Sequence, residues 1–509
     1  MLTSKIGQVM KKIKLFILAL AAGVLFIPQS CSKEYLETTP TDQLSASLVF
    51  NSLTGAWGAI NGVHRTMYIQ YNSSQSNGGF AGMYLNVEMM GTDVVFNTTA
   101  NGWFRSAYQW VDHRNDRSTL VLWWNNLYRL VSNVNQIINQ IDAIAGPEAE
   151  KSAIKGQALT YRAWAHFMLV QFYADRYVPG GANAQPGVPY MEEISFDGQA
   201  RNTVAEVYTK INADLTAAIT SLEGYSRANK SHINKSVAQA IQAQVALVQG
   251  NWNQAATSAN AARQGYSFMS AAQHLEGYNK QNNPENIWAS YVQEDQTMYF
   301  YSFYAYMSNN FNSTAIRQSP KSITKVLYDQ ISATDVRKGF WYPNAVADKQ
   351  PFVQSNGVRF NYMSSKFQAT STSDSRGDFP WIRVAEMYLV EAEALARQAG
   401  KEEQAKDVLF LLAKNRDPQY VRSANTGQAL IDEILTQRRI ELWGEGRNWT
   451  DLKRLNLPLV RPTAANAGQG AHVESFAIKV DVPAGGTIWT WKIPKGEVDT
   501  NPNLEQNPE

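Results

Sequence analysis

Cysteine is nearly absent from this chain, which has one such residue, Cys31, among 509. A single cysteine cannot close an intramolecular disulfide, and exported proteins normally use their cysteines in pairs. Cys31 follows a short basic segment at residues 10–14 and an apolar run from Leu15 to Ile27. That order is typical of a secretory signal peptide. We therefore predict a signal peptide over residues 1–30, with translation starting at Met1 or, because the basic head begins there, at Met10.

The chain also lacks a long apolar run. Residues 15–27 are too few for a membrane-spanning helix of about 20 residues, and no later segment is apolar enough to span. Cys31 resembles the acylated cysteine of bacterial lipoproteins, with the looser preceding sequence usual in Bacteroidetes, and Ser32-Lys33-Glu34 resembles their surface-export signal. The prediction is a lipid anchor at Cys31, a tether over residues 31–46 and a body over residues 47–509 at the cell surface.

An excess of charge of either sign is missing as well. The 46 Lys and Arg nearly balance the 44 Asp and Glu, for a net charge of +2. Such a chain offers no basic field for a polyanion, so nucleic acid is not an expected partner. Hydrophobic residues make up 44% of the chain and charged residues 18%, which indicates a folded globular protein.

Motifs for metal, phosphate or nucleophilic chemistry are absent. No two of the six histidines have the spacing of metal ligands, and neither a phosphate-binding Gly-rich loop nor a Gly-x-Ser-x-Gly turn occurs. His166 lies in a helical pattern, where packing or capping is the expected role. We predict neither a metal nor a cofactor.

One carboxylate pair needs separate treatment, because glycoside cleavage uses two carboxyl groups. Glu441 and Glu445 are one helical turn apart and are flanked by Arg438, Arg439 and Arg447. The arginines favour a structural ion-pair network over catalysis.

Helical periodicity is strong in four segments, and two of them suggest repeats. The segment 236–265 has Ala243, Ala255 and Ala262 around a turn at Gly250, which resembles a tetratricopeptide helix pair. The segment 384–415 resembles a second pair, with Glu393 where a small residue is expected. The apolar stripes run through Leu127, Val131, Val134, Ile138 and Ile141; Leu159, Ala163, Phe167 and Val170; Val237, Ile241, Val245 and Val248; and Val384, Tyr388, Ala392 and Leu395.

Irregular segments lie between the helices, and long loops on a helical scaffold commonly bind ligands. They cover residues 71–82, 97–104, 177–189 and 279–312. The last is crowded with aromatic residues, from Tyr299 to Tyr306, followed by Asn309, Asn310 and Asn312. Aromatic faces can stack on a sugar ring while amides bond its hydroxyls. The candidate ligand-binding residues, expected to converge on one surface, are Trp103, Phe104, Tyr299, Tyr301 and Tyr304.

With these residues in hand, the chain resembles the SusD/RagB family, the surface nutrient-binding lipoproteins of Bacteroidetes. The resemblance extends from Cys31 to the C-terminus. Its motifs are Arg162-Ala163-Trp164-Ala165-His166-Phe167 with Gln171-Phe172-Tyr173, the segment 378–394 that begins Asp378-Phe379-Pro380-Trp381, Arg438-Arg439-Ile440-Glu441-Leu442 with Glu445-Gly446-Arg447 and Asp451-Leu452, and the ending Ile493-Pro494, Asn501-Pro502 and Gln506-Asn507-Pro508.

The resemblance implies a mainly α fold, in which four tetratricopeptide-like helix pairs form a scaffold with irregular loops packed on one side. It implies an N-terminal half at about 47–265 and a C-terminal half at about 266–509. It also implies no catalysis and, as partner, a SusC-like TonB-dependent transporter in the outer membrane. Because the family's ligand contacts lie in variable loops, no binding residue is carried over by position.

The expected function is capture of an oligo- or polysaccharide and its delivery to that transporter. Three alternatives stay open at this point. They are an oligopeptide-binding lipoprotein of the same family, a surface glycoside hydrolase and a tetratricopeptide adaptor.

Overall fold

The computed structural model describes residues 49–72, 74–114, 116–195, 197–296, 298–347 and 357–509. The predicted signal peptide, the predicted lipidation site Cys31 and the whole predicted tether lie outside these residues. All elements given below lie in the compact unit Ser52–Glu509.

Helices dominate the described part of the chain. In its first half they are α1 (Leu53–Thr66), α2 (Gly79–Met89), α3 (Arg105–Tyr108), α4 (Ser118–Ile141), α5 (Glu148–Tyr173), α6 (Val204–Ser221), α7 (Lys235–Gln249), α8 (Trp252–Ala262) and α9 (Ala271–Leu275). In its second half they are α10 (Tyr304–Met307), α11 (Thr314–Gln318), α12 (Lys325–Tyr328), α13 (Val384–Ala396), α14 (Glu402–Arg416), α15 (Gly427–Glu441), α16 (Asn448–Leu455), α17 (Glu474–Ala477) and α18 (Lys495–Thr500). Short 3₁₀ turns cover Val336–Phe340 and Thr487–Trp489.

The four predicted helical stripes are confirmed. They fall within α4, α5, α7 and α13, and most of their residues are buried. In α4 the stripe belongs to a buried face opposite exposed residues, as expected of an amphipathic helix. By contrast, 20 of the 26 residues of α5 and 11 of the 13 residues of α13 are buried, so these two helices are packed on nearly all sides.

The two predicted repeat units are also helix pairs. In the first, Gly250 ends α7 in the left-handed conformation at φ +69°, and Asn251 then caps α8. A Cβ on Gly250 would lie 2.8 Å from Cβ of Pro179, so both φ and space favour glycine. Ala243, Ala255 and Ala262 are fully buried between the helices.

The second pair, α13 and α14, departs from the repeat pattern at Glu393 for a physical reason. Its carboxylate is fully buried and lies 2.7 Å from the guanidinium of Arg454 and 3.0 Å from that of Arg397. An ion-paired side chain therefore occupies the place of a small residue.

The scaffold is a series of packed helices. Contacts link α4 with α5, α5 with α6, α6 with α7, α7 with α8, α8 with α13, and α13 with both α14 and α15. The series contains the two predicted tetratricopeptide-like pairs, α7 with α8 and α13 with α14, and the mainly helical fold class is confirmed. The proposed division at about residue 265 stays a prediction.

Short strands add a feature that the periodicity did not predict. The strands are β1 (Val94–Phe96), β2 (Asn286–Ala289), β3 (Lys321–Ile323), β4 (Trp341–Tyr342), β5 (Met363–Ser364), β6 (Pro380–Arg383), β7 (Leu459–Val460) and β8 (Asp481–Val482). They form one four-stranded sheet in the order β1-β3-β5-β4 and two two-stranded sheets, β2-β6 and β7-β8, with antiparallel pairing throughout. In the first sheet Val94 is opposite Ile323.

Two predicted loops are therefore shorter than expected. The segment 71–82 ends where α2 begins at Gly79, and the segment 279–312 contains both β2 and α10. Across the described residues, no helix combines the length and the apolar character needed to cross a membrane.

Candidate functional site

Two of the predicted aromatic segments meet in the structure. The ring of Tyr306 lies 4.9 Å from that of Phe104 and 6.3 Å from that of Trp103, measured between centroids. The neighbouring rings reach solvent, because Tyr299 is 68% exposed and Phe300 44% exposed. Trp103 and Tyr301 are half-buried. We call the four residues Trp103, Tyr299, Phe300 and Tyr301 the aromatic surface.

Two of the predicted ligand-binding residues are interior, which corrects the expectation for them. Phe104 is 7% exposed and Tyr304 only 1% exposed. The Tyr304 hydroxyl donates to the backbone oxygens of Tyr278 at 2.7 Å and Asp378 at 2.8 Å. A Cβ on Gly377 would lie 2.3 Å from the Tyr304 ring. Both residues support the surface from below.

The exposed rings stand on a backbone that is fixed by hydrogen bonds. The Ser302 hydroxyl donates to the backbone oxygen of Ser375 at 2.7 Å, and the Ser375 hydroxyl donates to the backbone oxygen of Tyr299. Tyr299 adopts φ +39°, an uncommon conformation for a residue with a side chain. The segment 370–376 therefore holds the segment that carries the rings.

The segment 71–78 supports the same loop from the other side. Gly78 approaches Tyr301 so closely that a Cβ would lie 1.8 Å from the Tyr301 backbone oxygen. The Tyr306 hydroxyl donates to the backbone oxygen of Gln75 at 2.8 Å. The approach to Tyr301 explains why glycine occupies position 78, directly before α2.

Two residues near the aromatic surface, Tyr68 and Arg65, were not identified from the sequence. Tyr68 is half-buried and its hydroxyl donates to Oε1 of Gln296 at 2.8 Å. Burial raises the pKa of the Tyr68 and Tyr301 hydroxyls, and the nearby charge of Arg65 opposes that rise. Arg65 itself is exposed. A tyrosine directly after a helix and before a polar loop was the available signal.

Two of the asparagines after the aromatic run, Asn310 and Asn312, bond to the surrounding protein. The Asn310 amide donates to the backbone oxygen of Ala369 at 2.8 Å and accepts from its N–H at 2.7 Å. Oδ1 of Asn312 accepts from the Arg317 guanidinium. By contrast, Oδ1 of Asn101 accepts from the N–H of Trp103 at 3.2 Å and so orients a residue of the surface.

Glu441 and Glu445 form part of a buried ion-pair network. Arg383 contacts both, at 2.8 Å and 2.7 Å, and Arg416 and Arg337 also contact Glu441. Burial alone would raise the pKa of Glu441, but the three guanidiniums outweigh it and hold this pKa well below its usual range. A carboxyl held ionised and away from solvent is unsuited to protonate a leaving group.

The histidines of the described residues also have structural surroundings. Nδ1 of His166 lies 2.9 Å from the backbone oxygen of Arg162, and its Nε2 accepts from the N–H of Met191 at 3.1 Å. Packing and capping is thus its role. Within the described ranges, no group of three His, Cys, Asp or Glu is placed to hold a metal ion.

Comparison with known proteins gives consistent matches. A SusD-like family profile described as starch-binding and associating with outer membrane matches residues 63–247. SusD-like protein P2 of Formosa agariphila is 23% identical over 490 residues, covering 88% of this chain and 91% of the relative.

Solved structures share the fold over nearly the whole length. A SusD-like carbohydrate-binding protein from Bacteroides vulgatus has a TM-score of 0.79 at 24% identity, with 89% of this chain and 97% of that chain covered. Surface glycan-binding protein A from Bacteroides thetaiotaomicron, in complex with laminarihexaose, has a TM-score of 0.65 at 16% identity, with 89% and 99% covered. These structural matches show that the chain has the SusD-like fold, and residues 63–247 match the SusD-like family profile.

Proposed function

We propose that this protein captures a glycan at the aromatic surface and delivers it to a SusC-like TonB-dependent transporter. The observation that carries the proposal is the exposure of Tyr299 and Phe300, at 68% and 44%, in the segment whose Tyr306 ring contacts the half-buried Trp103. Large aromatic rings left in solvent on a fixed backbone are a common feature of binding surfaces.

The ligand class is argued from chemistry and from the neighbours. The flat face of an aromatic ring stacks on the C–H face of a sugar, whereas a peptide would need a row of backbone partners. One structural neighbour is described as a laminarin-binding SusD-like protein and another is described in complex with laminarihexaose. Both descriptions support a saccharide for this chain.

The placement of the protein in the cell is part of the proposal. Lipid on Cys31 after removal of residues 1–30 would hold the body at the cell surface, with residues 31–46 as the tether. The family description, which associates these proteins with the outer membrane, supports this arrangement.

A binding role is favoured over hydrolysis. The hydrolase alternative uses Glu441 and Glu445 as its two carboxyl groups, and both are buried in ion pairs. We expect the protein to leave oligosaccharides intact during long incubation. New reducing ends that appear with the wild type and are lost in the Trp103→Ala variant would support the hydrolase instead.

A glycan panel tests the proposal directly. Purified protein is titrated calorimetrically with soluble α- and β-glucans, other neutral polysaccharides, acidic polysaccharides and a mixture of oligopeptides. We expect saturable binding of at least one glycan and none of the peptides. Binding of peptides alone would assign the protein to the oligopeptide-binding alternative.

A further inference from the structure

A groove of about 690 Å³ lies between α4, residues 189–195 and 197–199, and the C-terminal helix α18. We call it the α4 groove. Aromatic side chains form its floor: Trp124 and Tyr128 lie 4.8 Å apart between ring centroids. Trp124 is almost fully buried, whereas Tyr128 remains half-buried, and its hydroxyl donates to the backbone oxygen of Pro189 at 2.9 Å. The floor therefore contains a ring that is fixed in position and accessible from the groove.

One wall of the groove is anchored to the helices beneath it. The Asn135 amide donates to the backbone oxygen of Met191 at 2.9 Å, and the Met191 N–H donates to Nε2 of His166 at 3.1 Å. Asn135 and His166 are both fully buried. A ligand entering the groove meets a wall whose conformation is already set, which lowers the entropy cost of binding.

The other wall is joined to the C-terminal segment. The Asn501 amide donates to the backbone oxygen of Gln199 at 2.9 Å, and the Asn503 amide donates to that of Gly198 at 2.9 Å. A Cβ on Gly198 would lie 2.3 Å from Oδ1 of Asn501, so glycine is needed for this approach. The two walls are thus preformed.

Polar side chains line the rim. Carboxylates of Glu193, Asp197 and Glu497 face the groove together with the exposed amide of Asn125 and one cation, Arg129. In the part of the chain that the structure describes, no basic side chain forms an ion pair with any of these three carboxylates.

Neighbouring carboxylates outside the groove behave differently. Glu192 pairs with Lys210, and Asp499 pairs with Lys495. The rim carboxylates of the groove therefore remain available as hydrogen-bond acceptors, whereas the neighbouring carboxylates are neutralised by lysines. Carboxylate acceptors form strong, charge-assisted hydrogen bonds with hydroxyl groups.

We propose that the α4 groove is a second saccharide-binding site, which accepts neutral sugars and disfavours acidic ones. A ring on its floor, an amide and carboxylates on its rim are the groups that bind a polyhydroxylated ligand. Three carboxylates against one guanidinium repel uronate or sulfate groups. The inference rests on the proposed glycan-binding function.

Hydrogen–deuterium exchange of the full-length protein tests the proposal. Laminarihexaose and maltohexaose serve as neutral probes and a galacturonate oligomer as the acidic probe, each at millimolar concentration. We expect a neutral probe to slow exchange in peptides covering 124–135 and 189–199. This protection persists in a Trp103→Ala/Tyr299→Ala background, which removes rings of the aromatic surface.

Charge reversal at the rim supplies the decisive comparison. Glu193 and Asp197 are exposed, so the Glu193→Lys/Asp197→Lys variant leaves the core intact. In the same background we expect it to weaken binding to the groove about tenfold or more, since two charged acceptors are lost. Glu192→Lys is the matched control and keeps the protection.

The outcomes separate this inference from the proposed function. Protection confined to residues 97–104 and 293–306 would overturn the second site and leave the proposed function standing. Absence of protection anywhere, with no binder in the glycan panel, would overturn both. Equal protection of the groove by the galacturonate oligomer would contradict its preference for neutral sugars.

Discussion

The guanidinium of Arg383 lies 2.8 Å from a carboxylate oxygen of Glu441, and both side chains are completely buried. The pair joins the end of β6 to the last turn of α15. Arg383 also contacts Glu285 at 2.8 Å, next to β2, so one residue connects three parts of the fold. Both Arg383 and Glu441 belong to the motifs on which the family resemblance rests, and their role in this chain is structural.

Removal of one charge from this network should destabilise the protein strongly. We expect Glu441→Gln to lower the free energy of unfolding by about 3–5 kcal/mol, because Arg383, Arg416 and Arg337 would share an uncompensated buried charge. Urea denaturation measures the effect. Glu403→Gln is the control: the Glu403 side chain is exposed where it pairs with Lys406 and Arg422, so the stability of this variant should match the wild type. Equal stability of both variants would contradict the structural role.

Buried histidines should make stability depend on pH. Burial lowers the pKa of His113, His166 and His472 to about 3, whereas the unfolded chain titrates them near 6.5. Below 6.5 the unfolded state then binds more protons than the folded state. The stability that these residues contribute is present above pH 6.5 and is lost as pH falls toward 3.

The His166→Gln variant isolates one of these contributions. Burial raises the pKa of Glu88 to about 7 and of Asp378 to about 6, which acts in the opposite sense, so the difference between variant and wild type is the useful quantity. Well below pH 6.5, the free energy of unfolding should fall with each pH unit by about 1.4 kcal/mol less in the variant than in the wild type. Urea titrations at pH 7.5, 6.5, 5.5 and 4.5 provide the slopes. Parallel slopes would show that His166 is not a buried neutral group.

Sequence periodicity predicted α4, α5, α7 and α13, whose apolar stripes pack into the scaffold, but not α1, α6 or α15. It missed α2, Gly79–Met89, because all eleven of its residues are buried and no polar face marks the helical period. The strands were not predicted for another reason: each has two to four residues, which are too few to show an alternating pattern. The long irregular segments were found by composition, but their boundaries depend on pairing between β2 and β6.

For the candidate site, composition identified the aromatic segments without distinguishing exposed from buried rings. Tyr299 and Tyr304 are five residues apart in the same run. Tyr304 is buried because Gly377, far along the chain, leaves room for its ring. Because this burial depends on a tertiary contact, the sequence around Tyr304 carries no signal of it.

Cys31 is expected to carry the lipid anchor. A Cys31→Ala variant should lose incorporation of labelled fatty acid and leave the membrane fraction, because the chain has no other cysteine to acylate. Ser30→Ala keeps a small residue before the cysteine and is the control that should stay anchored. Fractionation and fatty-acid labelling measure both. A Cys31→Ala protein that still incorporates label would contradict the prediction.

The close approach of Gly78 to Tyr301 predicts that a side chain at position 78 would disturb the aromatic surface. A Cβ at residue 78 would meet the Tyr301 backbone oxygen at 1.8 Å, whereas a Cβ at Gly102 meets nothing within 4 Å. We expect Gly78→Ala to displace the segment that carries Tyr299 and Tyr301 and to weaken glycan binding about tenfold, as the loss of one hot-spot side chain does. Gly102→Ala should bind like the wild type. The two titrations use the glycan identified by the panel, and equal affinities would show that this loop is not part of the site.

Tyr299 and Tyr304 allow the binding and packing roles of an aromatic ring to be separated within one segment. Tyr299 is 68% exposed and Tyr304 is 1% exposed. Tyr299→Ala should therefore cost about 1–3 kcal/mol of glycan binding, as truncation of a stacking ring does, and leave the thermal midpoint near that of the wild type. Tyr304→Ala should cost about 3–5 kcal/mol of stability, because it empties a buried site and removes a hydroxyl that bonds two backbone oxygens. Calorimetric titration and thermal unfolding of both variants measure these effects. If both Tyr299→Ala and Trp103→Ala bind the identified glycan normally, the aromatic surface is not the ligand site. The segment 71–80 then becomes the next candidate.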